Sequence, residues 1–265
     1  MLSVAPCYAS AEEAPGFSSI ILDDFAHVAT APARWESQQW QNLGWATLAV
    51  AGTAIVADSA VRDFMCKQSK MPTCPNTAGS SNNDNAFLIN VERFGTTYAL
   101  GTIGGFYLVG AVTDNAHTTR VAQDSISASL ISATINQTIK VATNRSRPRE
   151  NQGIADFQGY TGLSNNSSFS SGHTTEAFTL ASVIASHYAD DVWVSYAAYS
   201  VAGLVGFARM YHDAHFASDV TASAIIGIYV GRTVVQHNQS LRGNKVVLLP
   251  MLGADFSGIQ LLADF

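Results

Sequence analysis

The sequence predicts a mainly α protein: a single compact helical bundle closed by a short C-terminal β-hairpin. Three observations predict it. The chain has 265 residues, 47% of them hydrophobic and only 13% charged, which is enough apolar surface for one large core and excludes global disorder. Several long stretches carry almost no charge but are short or rich in Ala, Ser, Thr, Gly and Gln, as expected of core helices packed on one another. The last stretch, KVVLLPMLGADFSGIQLLADF, places two apolar runs around a Gly-Ala-Asp turn.

Taken in order, residues 1–11 read as the remnant of a secretion signal, with Ala9-Ser10-Ala11 in the small-x-small form of a cleavage site. An apolar run from 18 leads into a helix near Asp23–Thr30, broken at Pro32. Residues Gln39 to about Phe64 read as one helix. The segment Cys66–Asn85, rich in Pro, Ser, Gly and Asn, reads as loop. Uncharged helical runs follow over Gly95–Thr113 and Ser125–Ile139, the latter ending at Lys140. A long polar loop spans about 144–171, and helical patterns resume over Thr174–Tyr188, Val192–Arg209 and Ala217–Val235. This divides the chain into 1–11, a helical domain over 12–240 with its motif core at about 125–235, and a β extension over 241–265.

The net charge of −6 argues against nucleic acid as a partner, because phosphate-backbone binding needs a basic surface. Only Gly95–Thr113 approaches the length of a membrane span, and Gly, Thr and Tyr dilute it. Membrane association therefore stands beside the bundle as an alternative. Of three cysteines, Cys66 and Cys74 bracket a Pro-containing loop and are placed to close a small disulfide ring in an oxidising compartment, while Cys7 would leave with a signal.

The stretch RMYHDAHFASD brings Arg209, His215 and Asp219 within eleven residues. Read as helix, it puts His215 and Asp219 four apart on one face, an imidazole oriented by a carboxylate. Two further pieces complete a set: Lys140 with Arg147-Pro148, and Ser170-Ser171-Gly172-His173 at a helix start. Three cations, two histidines, one carboxylate and a Gly-containing turn are the parts for phosphoryl transfer without a metal. Lys140, Arg147 and Arg209 would surround the equatorial oxygens, with N–H groups around Ser171 and Gly172 as an anion nest.

In this order and spacing, the pieces resemble the type 2 phosphatidic-acid phosphatase superfamily, which includes class A acid phosphatases and vanadium haloperoxidases. That family carries Lys, six residues, Arg-Pro; then Pro-Ser-Gly-His; then Ser-Arg, five residues, His, three residues, Asp. Here Ser170 stands for the proline and Ala208 for the serine before Arg209. The resemblance implies a phosphatase with His215 as nucleophile, Asp219 as its orienting acid and His173 as general acid and base. Lys140, Arg147, Ser171, Gly172 and Arg209 would bind phosphate, with no cofactor and no metal. The substrate would be a lipid phosphate or a small soluble phosphomonoester or pyrophosphate, and the place a bacterial periplasm or envelope, with an integral membrane protein as the alternative.

Three other readings compete. His212, His215 and Asp219, joined by Asp213, are spaced to hold a metal from one helix. The anion cage also suits vanadate, hence a haloperoxidase-like enzyme. A non-catalytic anion-binding envelope protein is the third, though pure binding has no need of His173, His215 and Asp219 together. Phe157, Tyr160, Phe169 and Tyr211 lie near the motifs and are equally suited to a lipid or aryl group and to ordinary packing.

Overall fold

The computed structural model describes residues 16–74, 85–162, 167–243, 246–253 and 256–263. The expected signal remnant and Cys7 lie outside them. The described residues form a mainly α bundle in the order α1 (Phe17–Arg34), α2 (Ser37–Val56), α3 (Asp58–Ser69), α4 (Ala86–Glu92), α5 (Thr97–Val112), α6 (Ala116–Thr143), α7 (Gly172–His187), α8 (Val192–Tyr211) and α9 (Ala217–Gly243). Two strands, β1 (Val246–Gly253) and β2 (Phe256–Ala263), pair antiparallel with Val246 opposite Ala263 and Gly253 opposite Phe256, so the expected terminal hairpin is present.

Helix α7 is the centre of the bundle, packed by α6, α8 and α9. The reason is its small, polar-inward face: Thr174, Thr175, Ala177, Thr179, Ala181 and Ser182 are all buried. Small side chains let axes approach closely, and Gly227 of α9 takes this furthest. A Cβ there would sit 2.7 Å from the Thr175 carbonyl oxygen, so α7 and α9 meet backbone to backbone. Helix α6 buries Val121, Ser125, Ala128 and Ser132, the three-four spacing of one helical face, against the same core.

Several boundaries differ from those read in the sequence. Helix α1 runs through Pro32, because a proline in the last turn costs little of the hydrogen-bond ladder. The stretch taken as one helix over 39–64 breaks at Ala57 into α2 and α3, bent by 55°. Asp58, fully buried, draws the start of α3 inward by accepting from the Ser218 backbone at 2.8 Å and its hydroxyl at 2.7 Å. The helical character of α3 extends past Cys66 to Ser69, and Cys66 and Cys74 form a disulfide. Helix α4 was not expected; Asn85 caps it, accepting from the amides of Phe87 and Leu88.

Much of the apolar surface stays outside. No residue of α2 is buried, and it exposes Trp40, Leu43, Trp45, Leu48, Ile55 and Val56. Helix α5 exposes Leu100, Leu108 and Val112, and α8 exposes Val192, Trp193 and Tyr196. No single described helix is long and apolar enough to cross a membrane; the bent pair α2–α3 meets the test together.

Candidate active site

The first wall of the site is the end of α6. Asn144 adopts a left-handed conformation, φ 42°, and its N–H closes the last turn on the Lys140 carbonyl. That turn leaves Lys140 on the helix with its Nζ 2.6 Å from the Ser167 carbonyl, while the chain reverses into Arg145 and Arg147. Pro148 then starts a single 3-10 turn, with Glu150 accepting from the Arg147 amide at 3.1 Å.

The second wall is the segment from Ser167 into α7. Ser171 caps α7: its Oγ accepts from the Thr174 hydroxyl at 2.9 Å, leaving its own proton to donate. Gly172 is the first helical residue, so its N–H belongs to the free donors of the helix start. Where the resembled family has proline, Ser170 is fully buried and its hydroxyl accepts from Asn136 of α6 at 2.8 Å; Asn136 also donates to Thr175 at 3.2 Å. The turn is thus pinned by a side chain. Gly95, after α4, lies directly under His173: a Cβ there would meet the His173 carbonyl oxygen at 2.3 Å.

The third wall lies in the break read in the sequence between helices ending at Arg209 and starting at Ala217. The stretch 209–219 is not one helix. Helix α8 ends at Tyr211, and Asp213 turns left-handed at φ 50°, held by Arg62 at 2.9 and 3.0 Å and by the Thr73 hydroxyl at 3.0 Å. His215 therefore precedes α9, and Asp219 sits in its first turn, accepting from the Phe216 amide at 2.8 Å. The two still face each other, with Nδ1 of His215 3.7 Å from Oδ2 of Asp219, beyond a hydrogen bond. The nearest partner of that Nδ1 is the Ser168 carbonyl at 2.8 Å, and the Ser168 hydroxyl bonds Asp219. A carbonyl can only accept. Nδ1 must therefore carry the proton, and Nε2 is left as a free lone pair.

Asp219 is held by something stronger than the histidine. Arg145, 1% exposed, donates to Asp219 at 2.6 Å, Asp58 at 2.7 Å and Ser218 at 2.8 Å, and lies 4.1 Å from the Phe216 ring centre. Asp219 and Asp58 are completely buried, so this cation balances two carboxylates in the interior.

Charge around the site is coherent. Burial, then Arg209, pushes the His173 imidazole down to about 4, with Arg147 and Lys140 adding and Glu92 opposing. Burial pushes His215 down to about 3, against an upward pull from Asp219. Burial and Arg147 bring Lys140 down to about 8. Burial would raise Asp219, but His215 and Arg145 outweigh it and hold the carboxyl below its usual range. The shifts overlap in their causes: Arg209 and Lys140 act on both His173 and His215, and Asp219 acts on both His215 and Lys140. His215 and Asp219 form a buried floor, and Lys140, Arg147, Gly172, His173 and Arg209 form half-buried walls. The Nε of Arg209 is a buried donor without an acceptor among the described residues, the state expected of a group meant for an anion.

The metal grouping is not assembled. Nδ1 of His212 bonds Glu92, and among the described residues His212, His215 and Asp219 do not converge closely enough to share an ion. Asp213 is committed to Arg62. Of the aromatic residues, Tyr211 is part of the core, Tyr160 is 73% exposed, and Phe157 stacks near Arg145 and Phe169. Sequence reasoning missed Asn136, Arg145, Asp58, Glu92, Gly95 and Ser168. The available signal was scarcity: in a chain so poor in charge, an isolated Asp58 or Glu92 between apolar runs is a buried-pair candidate.

Residues 124–242 match the family model of the PAP2 superfamily, which bears out the resemblance carried by the motifs. Over 65 residues the chain is 42% identical to a lipid A 1-phosphatase of Porphyromonas gingivalis, a stretch covering 24% of this chain and 15% of that relative. The chain thus spans a small part of the curated relative it matches. Among solved structures it is similar to LpxE of Aquifex aeolicus, at 21% identity and a TM-score of 0.48, covering 68% of this chain and 94% of that one. It is also similar to a transmembrane PAP2 type phosphatidylglycerolphosphate phosphatase of Bacillus subtilis, at 16% identity and a TM-score of 0.48, covering 75% and 94%.

Proposed function

We propose, with the PAP2 superfamily match over residues 124–242 as the premise, that this chain is a phosphatase acting through a phosphohistidine on a phosphomonoester or pyrophosphate. The observation that carries the proposal is a buried His215 with a free Nε2, its pKa lowered together with that of His173 by burial and by the nearby cations Arg209 and Lys140. Nε2 of His215 has its lone pair free because Nδ1 donates to Ser168, and the buried Nε of Arg209 has no acceptor among the described residues.

In the first step Nε2 of His215 attacks phosphorus, the bond to the leaving oxygen breaks, and protonated His173 gives that oxygen its proton. In the second, neutral His173 takes a proton from water, the water oxygen attacks phosphorus, and the P–N bond breaks to release phosphate. Lys140, Arg147, Arg209, the Ser171 hydroxyl and the Gly172 N–H hold the equatorial oxygens. Asp219, acting through Ser168 and by its charge, stabilises the imidazolium that forms on His215. A cage of three fixed cations supplies the charge that a metal would otherwise bring, so the reaction is assigned no metal.

A lipid phosphate is the favoured substrate class. A nearly wholly apolar cleft of about 370 Å³ runs between α2 and α9 beside Phe157 and Phe169, and the exposed apolar faces of α2, α5 and α8 suit a lipid surface. We accordingly place the protein in the bacterial envelope, after export, with the helical phosphatase domain running to the end of α9 and the β1–β2 hairpin as its extension. The test is phosphate release from phosphatidic acid and from para-nitrophenyl phosphate, with excess chelator, by wild type and His215→Ala. Turnover that resists chelator and disappears in the variant supports the proposal, and the preferred substrate decides its class. A folded wild type that turns over neither, but brominates with vanadate and peroxide, overturns it.

A further inference from the structure

Arg209, in the last turn of α8, lies among like charges: Lys140 feels both it and Arg147. A flexible guanidinium so placed is driven toward solvent unless a counter-charge holds it. The family pattern has a serine before this arginine, but Ala208 is completely buried among Met65, Leu88, Val91 and Val205 and offers no polar atom. The hold comes from elsewhere. Glu92, the last residue of α4, accepts from Nη1 of Arg209 at 2.7 Å through Oε2, and its other oxygen bonds Nδ1 of His212. Burial would raise the Glu92 carboxyl, but the His212 bond and the Arg209 charge outweigh it, so it stays ionised. Glu92 engages Nη1 alone and leaves Nε buried and unpaired.

We propose that Glu92 is the positioning residue of Arg209. It turns one edge of the guanidinium to α4 and so presents the Nε edge to the anion, replacing the serine this chain lacks. His212, on the far oxygen, fixes the carboxylate's own orientation. The geometry stands by itself; only the kinetic consequence rests on the phosphatase reading.

The experiment is a double-mutant cycle over Glu92→Gln and Arg209→Ala. It is read by kcat and KM on the preferred phosphoester and by calorimetric titration of inorganic phosphate into wild type and each variant. One donor of an oxyanion cage typically contributes roughly 10²–10³ in turnover, so a displaced Arg209 loses about tenfold or more in kcat/KM. Glu92→Gln is expected to cost that factor and to weaken phosphate binding about tenfold in the wild type, and to change neither by more than about twofold once Arg209 is gone. His212→Gln is expected to change phosphate affinity by less than about twofold.

The proposal is overturned if Glu92→Gln matches wild type, if it costs the same factor in both backgrounds, or if His212→Gln loses as much. It is also overturned if Glu92→Gln fails to fold where Arg209→Ala folds, since the role is then structural. Should wild type bind phosphate but turn over nothing, the phosphatase reading fails while the phosphate titrations still decide Glu92. A wild type that does neither overturns both.

Discussion

Arg145→Met is the sharpest perturbation of the site's foundation. The change removes the one cation bonded to both Asp219 and Asp58, two carboxylates with no solvent exposure, and puts an apolar chain of similar length in its place. Breaking a buried pair by deleting one partner costs about 3–5 kcal/mol, and two carboxylates here share the loss, so about 4 kcal/mol or more is expected at pH 7.5. That is a large part of the roughly 5–15 kcal/mol that holds a typical protein folded. The pH dependence gives the sign. In wild type the Asp219 carboxyl is held below its usual value, so its contribution is present above the unfolded pKa and is lost as pH falls through the folded one. In the variant a buried, unpaired carboxyl prefers its proton, so the native state binds more protons than the unfolded chain and gains stability as pH falls. The deficit against wild type therefore shrinks by roughly 1–3 kcal/mol between pH 7.5 and pH 5. Urea unfolding followed by circular dichroism at both pH values measures it. A loss under about 1 kcal/mol, or one identical at the two pH values, would refute the reasoning that Arg145 is the counter-ion of two buried acids.

Gly95→Ala is expected to move His173, because its Cβ would fall 2.3 Å from the His173 carbonyl oxygen; kcat on the preferred phosphoester should drop by about tenfold or more, stability should fall by roughly 1–3 kcal/mol because the clash is with backbone, and an unaffected kcat would refute the contact. The pH profiles should differ: His173 is depressed to about 4 by burial and the cage cations, and a bound phosphate dianion offsets those cations, so the alkaline limb of kcat should lie above that of kcat/KM. Coincident limbs would remove His173 as the acid. Above about pH 8 Lys140 loses its charge, so KM should climb there in wild type and be flat in Lys140→Met. Reducing the Cys66–Cys74 bridge, which closes a short loop beside Thr73 and Asp213, should cost about 2–3 kcal/mol in unfolding experiments while leaving kcat within about twofold.

Most of the bundle was legible because helices α5 to α9 are marked by long uncharged runs separated by Gly, Pro, Asn and Ser. At Ala57 the boundary failed because tertiary contacts override local pattern. Nothing in the sequence around Ala57 demands a bend, and the 55° turn follows from Asp58 reaching Ser218, a partner 160 residues away. The run from Arg209 to Asp219 spans the gap that the sequence leaves between the helical patterns ending at Arg209 and starting at Ala217. There Asp213 is pulled left-handed by Arg62 and Thr73, again from α3 and the loop after it. The site's charged positions were legible from three spacings. Their partners were not, since Glu92, Asn136 and Asp58 sit on elements whose proximity to the motifs only the fold determines.

The two departures from the family pattern are informative together. Proline stiffens a backbone by removing conformations, and a serine before an arginine tethers it through one hydroxyl. Here both tasks pass to side chains outside the three motifs: Asn136 of α6 pins Ser170, and Glu92 of α4 pins Arg209. Either substitute ties the cage to the position of another helix, so the geometry of the cage depends on how α4 and α6 pack on α7 and α8. Local stiffness has been exchanged for tertiary dependence. Restoring the family residues should therefore make activity less sensitive to changes at Asn136 and Glu92. Ser170→Pro is the cleaner of the two reversions, because Ala208 fills a closed apolar core while the Ser170 hydroxyl serves only to receive Asn136.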